Sequence, residues 1–451
     1  MVKNKNEKTI NKEPHDNLKF IDLCCGIGGF HQALSNMGMT CVMASDIDKN
    51  CRDNYEKNYK LKPLGDLTKI DVETIPNFDV LCAGFPCQPF SKAGDQKGFD
   101  DNRGNIFFDI CKIAKHHRPK YLILENVRNL ATHDKGNTWK VIKAKLKELK
   151  YITYEEPTIL NTLNFNVPQS RERVVILCKR EDLGELSELP KDDKSKGKTS
   201  SKNKNKTKTK TTSPTTTLNS IIETGCSEQY IKEYVISDKM KATEGIWNQF
   251  LDILNKNSID IPKYPIWTDW WDTDGECTSV TKISKSDQCK TEEEKKAIVK
   301  KAQEDFMKKY KDWIDKNRDF YKAHKGILEP WLIKSRENSL WKGAVRKMEW
   351  QTGKNNLNMS EVLWSPRGSG VRIKNIDYSP TLVAMASMIP IYGPESRQLT
   401  PRECARLQSF PDTYIIHEND KIAYKQFGNA VNVKMIERCA RFLINNEPLF
   451  L

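Results

Sequence analysis

Over its first 180 residues the chain alternates short apolar runs with segments of helical periodicity. Such alternation buries its apolar surface as a sheet of mostly parallel strands covered by helices. Predicted strands are Lys19–Leu23, Thr40–Ser45, Asp79–Cys82, Tyr121–Leu124, Tyr151–Glu155 and Arg173–Cys178. Most are rich in Ile, Leu and Val with little polar alternation, so both faces are expected to be covered. Helices are predicted between them near Gly29–Met37, Asp48–Asn58, Asn105–His116 and Thr138–Leu149. The fold class is therefore α/β.

The texture then breaks. Lys191–Thr217 consists almost wholly of Lys, Ser, Thr, Asn, Gly and Asp, a composition that buries no core and reads as a disordered linker. Beyond Leu218 tryptophans become frequent and acidic and basic residues intermix. With 451 residues the chain has room for a second core. This region reads as a second, smaller domain whose strands the sequence does not delineate. From Thr400 a capped helix start is expected, with Pro401 at its first position. A final helix is predicted over Val433–Asn445.

Composition narrows the partners. The net charge is +14, but the stretch Lys191–Lys210 carries nine lysines against two aspartates, half of that excess. Charge permits a polyanionic partner without establishing one. No run of 18 apolar residues occurs, so no membrane partner is expected. The polar N-terminal 17 residues lack the apolar stretch of a secretory signal. Thirteen cysteines, with no Cys-x-x-Cys pair, signal neither a disulfide framework nor a metal site. A cytoplasmic, reducing compartment is expected.

The segment Phe20-Ile-Asp-Leu-Cys-Cys-Gly-Ile-Gly-Gly-Phe30 runs from a buried strand through a glycine turn into a helix. Glycines let a ligand approach the backbone, and the helix start is electropositive. The next strand ends at Asp46, placed to accept hydrogen bonds from a ribose diol. Asp66 in Gly65-Asp-Leu67 is a third candidate, for an adenine amino group. These features fit NAD and S-adenosylmethionine equally, so at this point the cofactor stays open.

More decisive is Ala83-Gly-Phe-Pro-Cys-Gln-Pro-Phe-Ser91, which places Cys87 in a proline-stiffened loop at the carboxyl end of a strand. Two further strand ends carry chemistry. Leu124-Glu-Asn-Val127 puts Glu125 at the ligand edge, where partial burial raises a carboxyl pKa and suits it to donate a proton. Gln169-Ser-Arg-Glu-Arg173 holds two arginines two residues apart, which in an extended chain share a face.

In this order and combination the segments resemble those of the C5-cytosine DNA methyltransferases. The resemblance spans residues 18–180 and 397–445. It includes Arg103-Gly104, Arg397-Gln-Leu-Thr-Pro-Arg-Glu-Cys-Ala-Arg-Leu-Gln-Ser-Phe-Pro411 and Gln426-Phe-Gly-Asn-Ala-Val431. It implies a Rossmann-like methyltransferase domain, with a mostly parallel sheet and helices on both faces, plus a smaller target-recognition domain. The implied organisation is a tail at 1–17, catalytic segments at 18–188 and 397–451, a linker at 189–217 and the recognition domain at 218–396.

By the same resemblance Cys87 is the nucleophile. Glu125 and Arg173 hold the target cytosine, and Arg171 lies near the same loop. S-adenosylmethionine would be bound by Cys24, Gly26, Ile27, Gly28, Gly29, Asp46, Ile47, Asp66, Leu67, Gly84, Pro86, Ile106, Asn429 and Ala430. The Gln426–Val431 stretch would return beside the first glycine turn. Cys24 departs from the pattern, since an aromatic residue is usual there. Double-stranded DNA is the implied partner, contacted through Gln88, Ser91, Arg103, Arg367, Arg372, Lys374 and Thr381. A monomer acting on a base flipped out of the duplex, alongside an endonuclease of the same recognition sequence, completes the expectation. The alternatives are a tRNA cytosine-5 methyltransferase and a non-catalytic DNA-binding protein on the same fold.

Overall fold

The computed structural model describes residues 17–86, 106–190, 216–224, 227–271, 291–353 and 358–450. Cys87, Gln88, Ser91, Arg103, most of the 189–217 linker and nearly all of the 1–17 tail lie outside them. The described residues form two compact units, the second within Gly225–Ile376 and Ser387–Leu399. Its first boundary falls a few residues after the expected 218. Asp377–Ala386, expected in the recognition domain, belongs to the first unit.

The first unit is built on seven strands. They are β1 (Lys19–Leu23), β2 (Thr40–Ser45), β3 (Val80–Gly84), β4 (Tyr121–Val127), β5 (Tyr151–Ile152), β6 (Ile159–Asn161) and, after the two-residue β7 (Gln169–Ser170), β8 (Glu172–Arg180). The order is β2-β1-β3-β4-β8-β5, with β6 beside β8. The first four run parallel, as their unbroken apolar sequences require. The sheet then departs from expectation: β8 is antiparallel to β4, and β5 and β6 are antiparallel to β8. β5 stops at Ile152 rather than Glu155.

Among the described residues of this part of the chain, four α-helices alternate with the strands: α1 (Gly29–Ser35), α2 (Lys49–Tyr59), α3 (Ile106–His117) and α4 (Asn137–Glu148). α3 buries Phe107, Phe108, Ile110, Cys111 and Ile113 against the sheet, and α4 buries Trp139, Ile142 and Leu146. Asp48 caps α2 by accepting from the Asn50 amide, which fixes where the chain after β2 turns into helix.

In the second unit come α5 (Glu228–Lys232), α6 (Asp238–Lys256), β9 (Ile266–Trp267), α7 (Glu292–Ala323), α8 (Lys325–Glu337), β10 (Lys347–Gln351), β11 (Leu363–Arg367) and β12 (Gly370–Lys374). The chain makes β13 (Ser379–Pro380) in the first unit, then returns for β14 (Ile391–Tyr392) and β15 (Arg397–Gln398). The six-stranded sheet runs β15-β14-β11-β12-β10-β9. One face, with Met348, Trp364, Val371 and Ile373, joins Trp247, Trp331 and Trp341 in a core built around tryptophan rings. No helix among the described residues is long and apolar enough to cross a membrane.

The last segment re-enters the first unit as α9 (Pro401–Leu407), α10 (Asp420–Asn429) and α11 (Val433–Asn445). α9 opens with the expected cap: Thr400 and Glu403 each satisfy the other's backbone N–H, and Pro401 occupies the first position.

Candidate active site

Strand order reverses between β1 and β3, because the chain leaves β1 for β2 on one side and continues to β3 on the other. Open α/β sheets bind ligands at such a point, beyond the carboxyl ends of the strands. A cavity of about 500 Å³ lies there, bordered by Cys24 and Gly26 after β1, Ser45–Asp48 at the end of β2, Gly84–Pro86 at the end of β3 and Glu125–Val127 of β4. Of the predicted cofactor residues, Cys24, Gly26, Asp46, Ile47, Asp66, Leu67, Gly84, Pro86, Ile106 and Asn429 line it.

Asp46 organises the turn. Its carboxylate accepts the Gly26 amide at 2.8 Å through one oxygen and the Asp48 amide at 2.8 Å through the other. Each oxygen keeps a lone pair for a ligand. Gly26 sits at φ +53° and Cys24 at +52°, so the turn passes through the left-handed region at a residue other than glycine. Burial, helped by Asp46 and Asp22, pushes the Cys24 thiol up to about 12, so it stays protonated. Asp66 accepts from the Thr68 amide and hydroxyl at 3.0 and 2.8 Å through one carboxyl oxygen, and the other lies 4.0 Å from the Lys69 ammonium. Ile47 is 77% exposed at the rim, an apolar face without cover.

Four predicted cofactor residues stand behind the cavity rather than on it. The Ile27 carbonyl accepts from the Tyr414 hydroxyl at 2.8 Å, and that of Gly28 from Tyr59 at 2.9 Å. A Cβ on Gly28 would fall 2.2 Å from the Tyr59 ring, and one on Gly29 would fall 2.5 Å from the Val431 side chain. These glycines serve close packing behind the turn, and Val431 brings the Gln426–Val431 stretch against it. Ala430 is buried and gives its carbonyl to Arg171.

At the other end of the cavity Glu125 is buried, with Arg173 Nε 2.9 Å from its Oε1. The contact is a buried ion pair. Burial raises the Glu125 pKa, and Arg173 and Arg171 offset part of the rise. The antiparallel register places Val127 opposite Arg173, which brings the arginine to the end of β4.

Arg171 does not share Arg173's place. It precedes the β8 ladder, so strand alternation does not govern it. Its guanidinium is buried and donates to the carbonyls of Leu382, Gly428 and Ala430 at 2.7–3.2 Å. Burial, then repulsion by Arg173, lowers its pKa to about 9. Arg171 stands off the cavity wall.

In the second unit, Arg372 and Lys374 share one face of β12, and Arg367 stands beside them on β11. Arg372 pairs with Glu349 at 3.0 Å. Arg367 has a buried Nε without a partner, and burial lowers its pKa and that of Lys374. Thr381, in the first unit, gives its hydroxyl to the Ser170 carbonyl at 2.7 Å.

Sequence reasoning passed over Asn126, Asp48, Lys425 and Gly428, which also line the cavity. The Asp48–Lys425 ion pair at 2.9 Å joins the loop after β2 to α10. The available signal for Lys425 was its spacing, one helical turn before Asn429.

A family model described as C-5 cytosine-specific DNA methylase matches residues 18–445. The chain is 35% identical to the type II methyltransferase M.BanI of Aneurinibacillus aneurinilyticus, over 95% of this chain and 96% of that protein. It is 35% identical to the type II methyltransferase M.HgiCI of Herpetosiphon aurantiacus, over 96% and 99% of the two chains. A 166-residue stretch, 37% of this chain and 50% of the relative, is 48% identical to the type II methyltransferase M.HhaI of Haemophilus parahaemolyticus.

Proposed function

Because the chain belongs to the C-5 cytosine-specific DNA methylase family, we propose that it methylates carbon 5 of a cytosine in duplex DNA. Cys87 is the nucleophile and S-adenosylmethionine the cofactor. The observation that carries this reading is one cavity holding both chemistries. The Glu125–Arg173 pair stands on the same wall system as the glycine turn, Asp46, Asp66 and Pro86, the residue preceding Cys87.

The cavity suits the cofactor. The backbone at Gly26 is open to a ligand, with no atom within 4 Å of where a Cβ would be. Asp46 keeps lone pairs for a ribose diol, and exposed Ile47 offers an apolar surface to a purine ring. When bound, the cofactor supplies a methyl group activated by a sulfonium.

The protein's own groups do the rest. A thiolate at Cys87 adds to carbon 6 of the cytosine, breaking the ring's conjugation and moving electron density onto carbon 5 and the N3 side. Glu125, held protonated to higher pH than an ordinary carboxyl, donates toward N3 and stabilises that charge. Arg173 orients Glu125 and contacts the base O2. With the methyl on carbon 5, loss of the carbon-5 proton to solvent, breakage of the carbon 6–sulfur bond and return of the N3 proton to Glu125 restore the ring and release the thiolate. Carbon 6 is inaccessible within a stacked duplex, so the base must be flipped out, at a cost of about a few kcal/mol. Arg367, Arg372 and Lys374 are the contacts we assign to the DNA.

The test is methyl transfer from labelled S-adenosylmethionine to duplex DNA, with tRNA as the competing substrate. Incorporation into DNA cytosine that is absent for Cys87→Ala supports the reading. Incorporation into tRNA alone overturns it.

A further inference from the structure

A buried arginine normally finds a carboxylate, because an uncompensated buried charge is costly. Arg171 is 1% exposed, and all its hydrogen bonds go to main-chain carbonyls, with Nε left without a partner. Those carbonyls belong to two separate stretches of chain. Gly428 and Ala430 flank Asn429 at the cavity wall, whereas Leu382 lies in Asp377–Ala386, the stretch inserted between two segments of the second unit.

The two stretches are joined by more than the guanidinium. A Cβ on Gly428 would fall 2.5 Å from the Ala384 nitrogen and 2.5 Å from the Val383 carbonyl carbon, so backbone lies directly on backbone. On its other side the inserted stretch runs parallel to the chain leading into Arg171, pairing Ser379 with Gln169 and Pro380 with Ser170. The Thr381 hydroxyl extends that pairing to the Ser170 carbonyl at 2.7 Å. Packing of this kind resists approach but not separation, and the Arg171 guanidinium, bonded to Leu382 on one side and to Gly428 and Ala430 on the other, is what holds the two stretches together.

We propose that Arg171 is the positioning residue that couples cofactor binding to DNA engagement, by fastening Leu382 to the Gly428–Ala430 wall. The proposal rests on the function assigned above, and on the contact between Thr381 and DNA that the family resemblance implies. Holding the 381–384 stretch against DNA holds the wall, so the cofactor is bound more tightly in the DNA complex. By linkage the cofactor tightens DNA binding by the same factor.

The probe is S-adenosylhomocysteine, which binds without turnover. Its affinity is measured by calorimetry with and without a duplex carrying the chain's own target sequence, identified beforehand by sequencing methylated DNA. The wild type is expected to bind it about 5–150-fold more tightly with the duplex, the usual range of such coupling. Arg171→Lys keeps a charge but lacks a fork able to span three carbonyls, so its ratio should fall close to one while unfolding stays cooperative. A wild type without coupling, or Arg171→Lys with full coupling, overturns the proposal. Should the variant not fold, hydrogen exchange on the wild type decides. S-adenosylhomocysteine should slow the amides of residues 382–386, and unchanged exchange there overturns the proposal. Failure of the functional reading itself would look different: no methyl transfer to DNA by the wild type at all.

Discussion

The side-chain amide of Asn126 donates to the main-chain carbonyl of Phe85 across 2.8 Å, joining the end of β4 to the chain leaving β3 two residues before Cys87. Asn126 is buried, and its own oxygen accepts the Val127 amide at 2.9 Å. The bond fixes the main chain at Phe85, just before Pro86 on the cavity wall. Removing a buried hydrogen bond of this kind costs about 1–3 kcal/mol, so Asn126→Ala should slow methyl transfer roughly 10–100-fold. Cofactor affinity should change little. Single-turnover methylation with a parallel binding titration checks this, and an unchanged rate would remove Asn126 from the loop's support.

Glu125→Gln keeps the shape of the side chain but abolishes its titration. The turnover rate should fall by roughly 10²–10⁴, the usual worth of a positioned proton donor. DNA and cofactor binding should persist. Full activity in this variant would exclude the role assigned to Glu125.

Asp22 is fully buried in β1 and neither carboxyl oxygen has a hydrogen-bond partner. Burial raises its pKa well above the ordinary range, Asp46 adds to the rise, and the nearby His31 amide offsets part of it. The folded protein thus keeps this proton after the unfolded chain has released it near about pH 3.9. Stability from protonated Asp22 is whole below that pH and is lost as pH rises through the folded value. Asp22→Asn removes the loss, so its stability relative to wild type should grow with pH above the unfolded value. Urea unfolding across acid to alkaline pH measures it. A pH-independent difference would contradict the assignment.

Gly29→Ala places a Cβ 2.5 Å from Val431 Cγ2 and 2.7 Å from the Val431 carbonyl oxygen. Overpacking of this kind costs about 1–3 kcal/mol. Because Asn429 lines the cavity two residues before Val431, cofactor affinity should fall as well. Gly245→Ala, in open space on α6, is the control and should leave both quantities intact. Equal cofactor affinity in the two variants would separate the C-terminal return from the cavity.

Much of the first unit was legible because its strands are apolar on both faces and punctuated by glycine. β1, β2 and α11 fall on their predicted limits. β4 outran its prediction by three residues because β8 pairs along it to Val127, a partnership that no local pattern encodes. Cys24, Asp46 and Glu125 border one cavity because strand ends collect at one edge. Arg171 was misassigned because alternation was extended past the start of β8. The second unit was opaque for a physical reason: its strands are two to five residues long and its core joins tryptophans far apart in sequence. Asn126 and Lys425 act on main-chain and ion-pair partners distant in the chain, at separations of 41 and 377 residues.

The most direct measurement is covalent capture. Duplex DNA with 5-fluorocytosine at the target position, incubated with the wild-type protein and S-adenosylmethionine, should yield a denaturation-resistant adduct. Fluorine at carbon 5 does not leave as a proton does, so the bond at carbon 6 persists. Peptide mapping should place that bond on Cys87. An adduct at any other residue, or none on a duplex whose unmodified form is methylated, would contradict attack by the Cys87 thiolate.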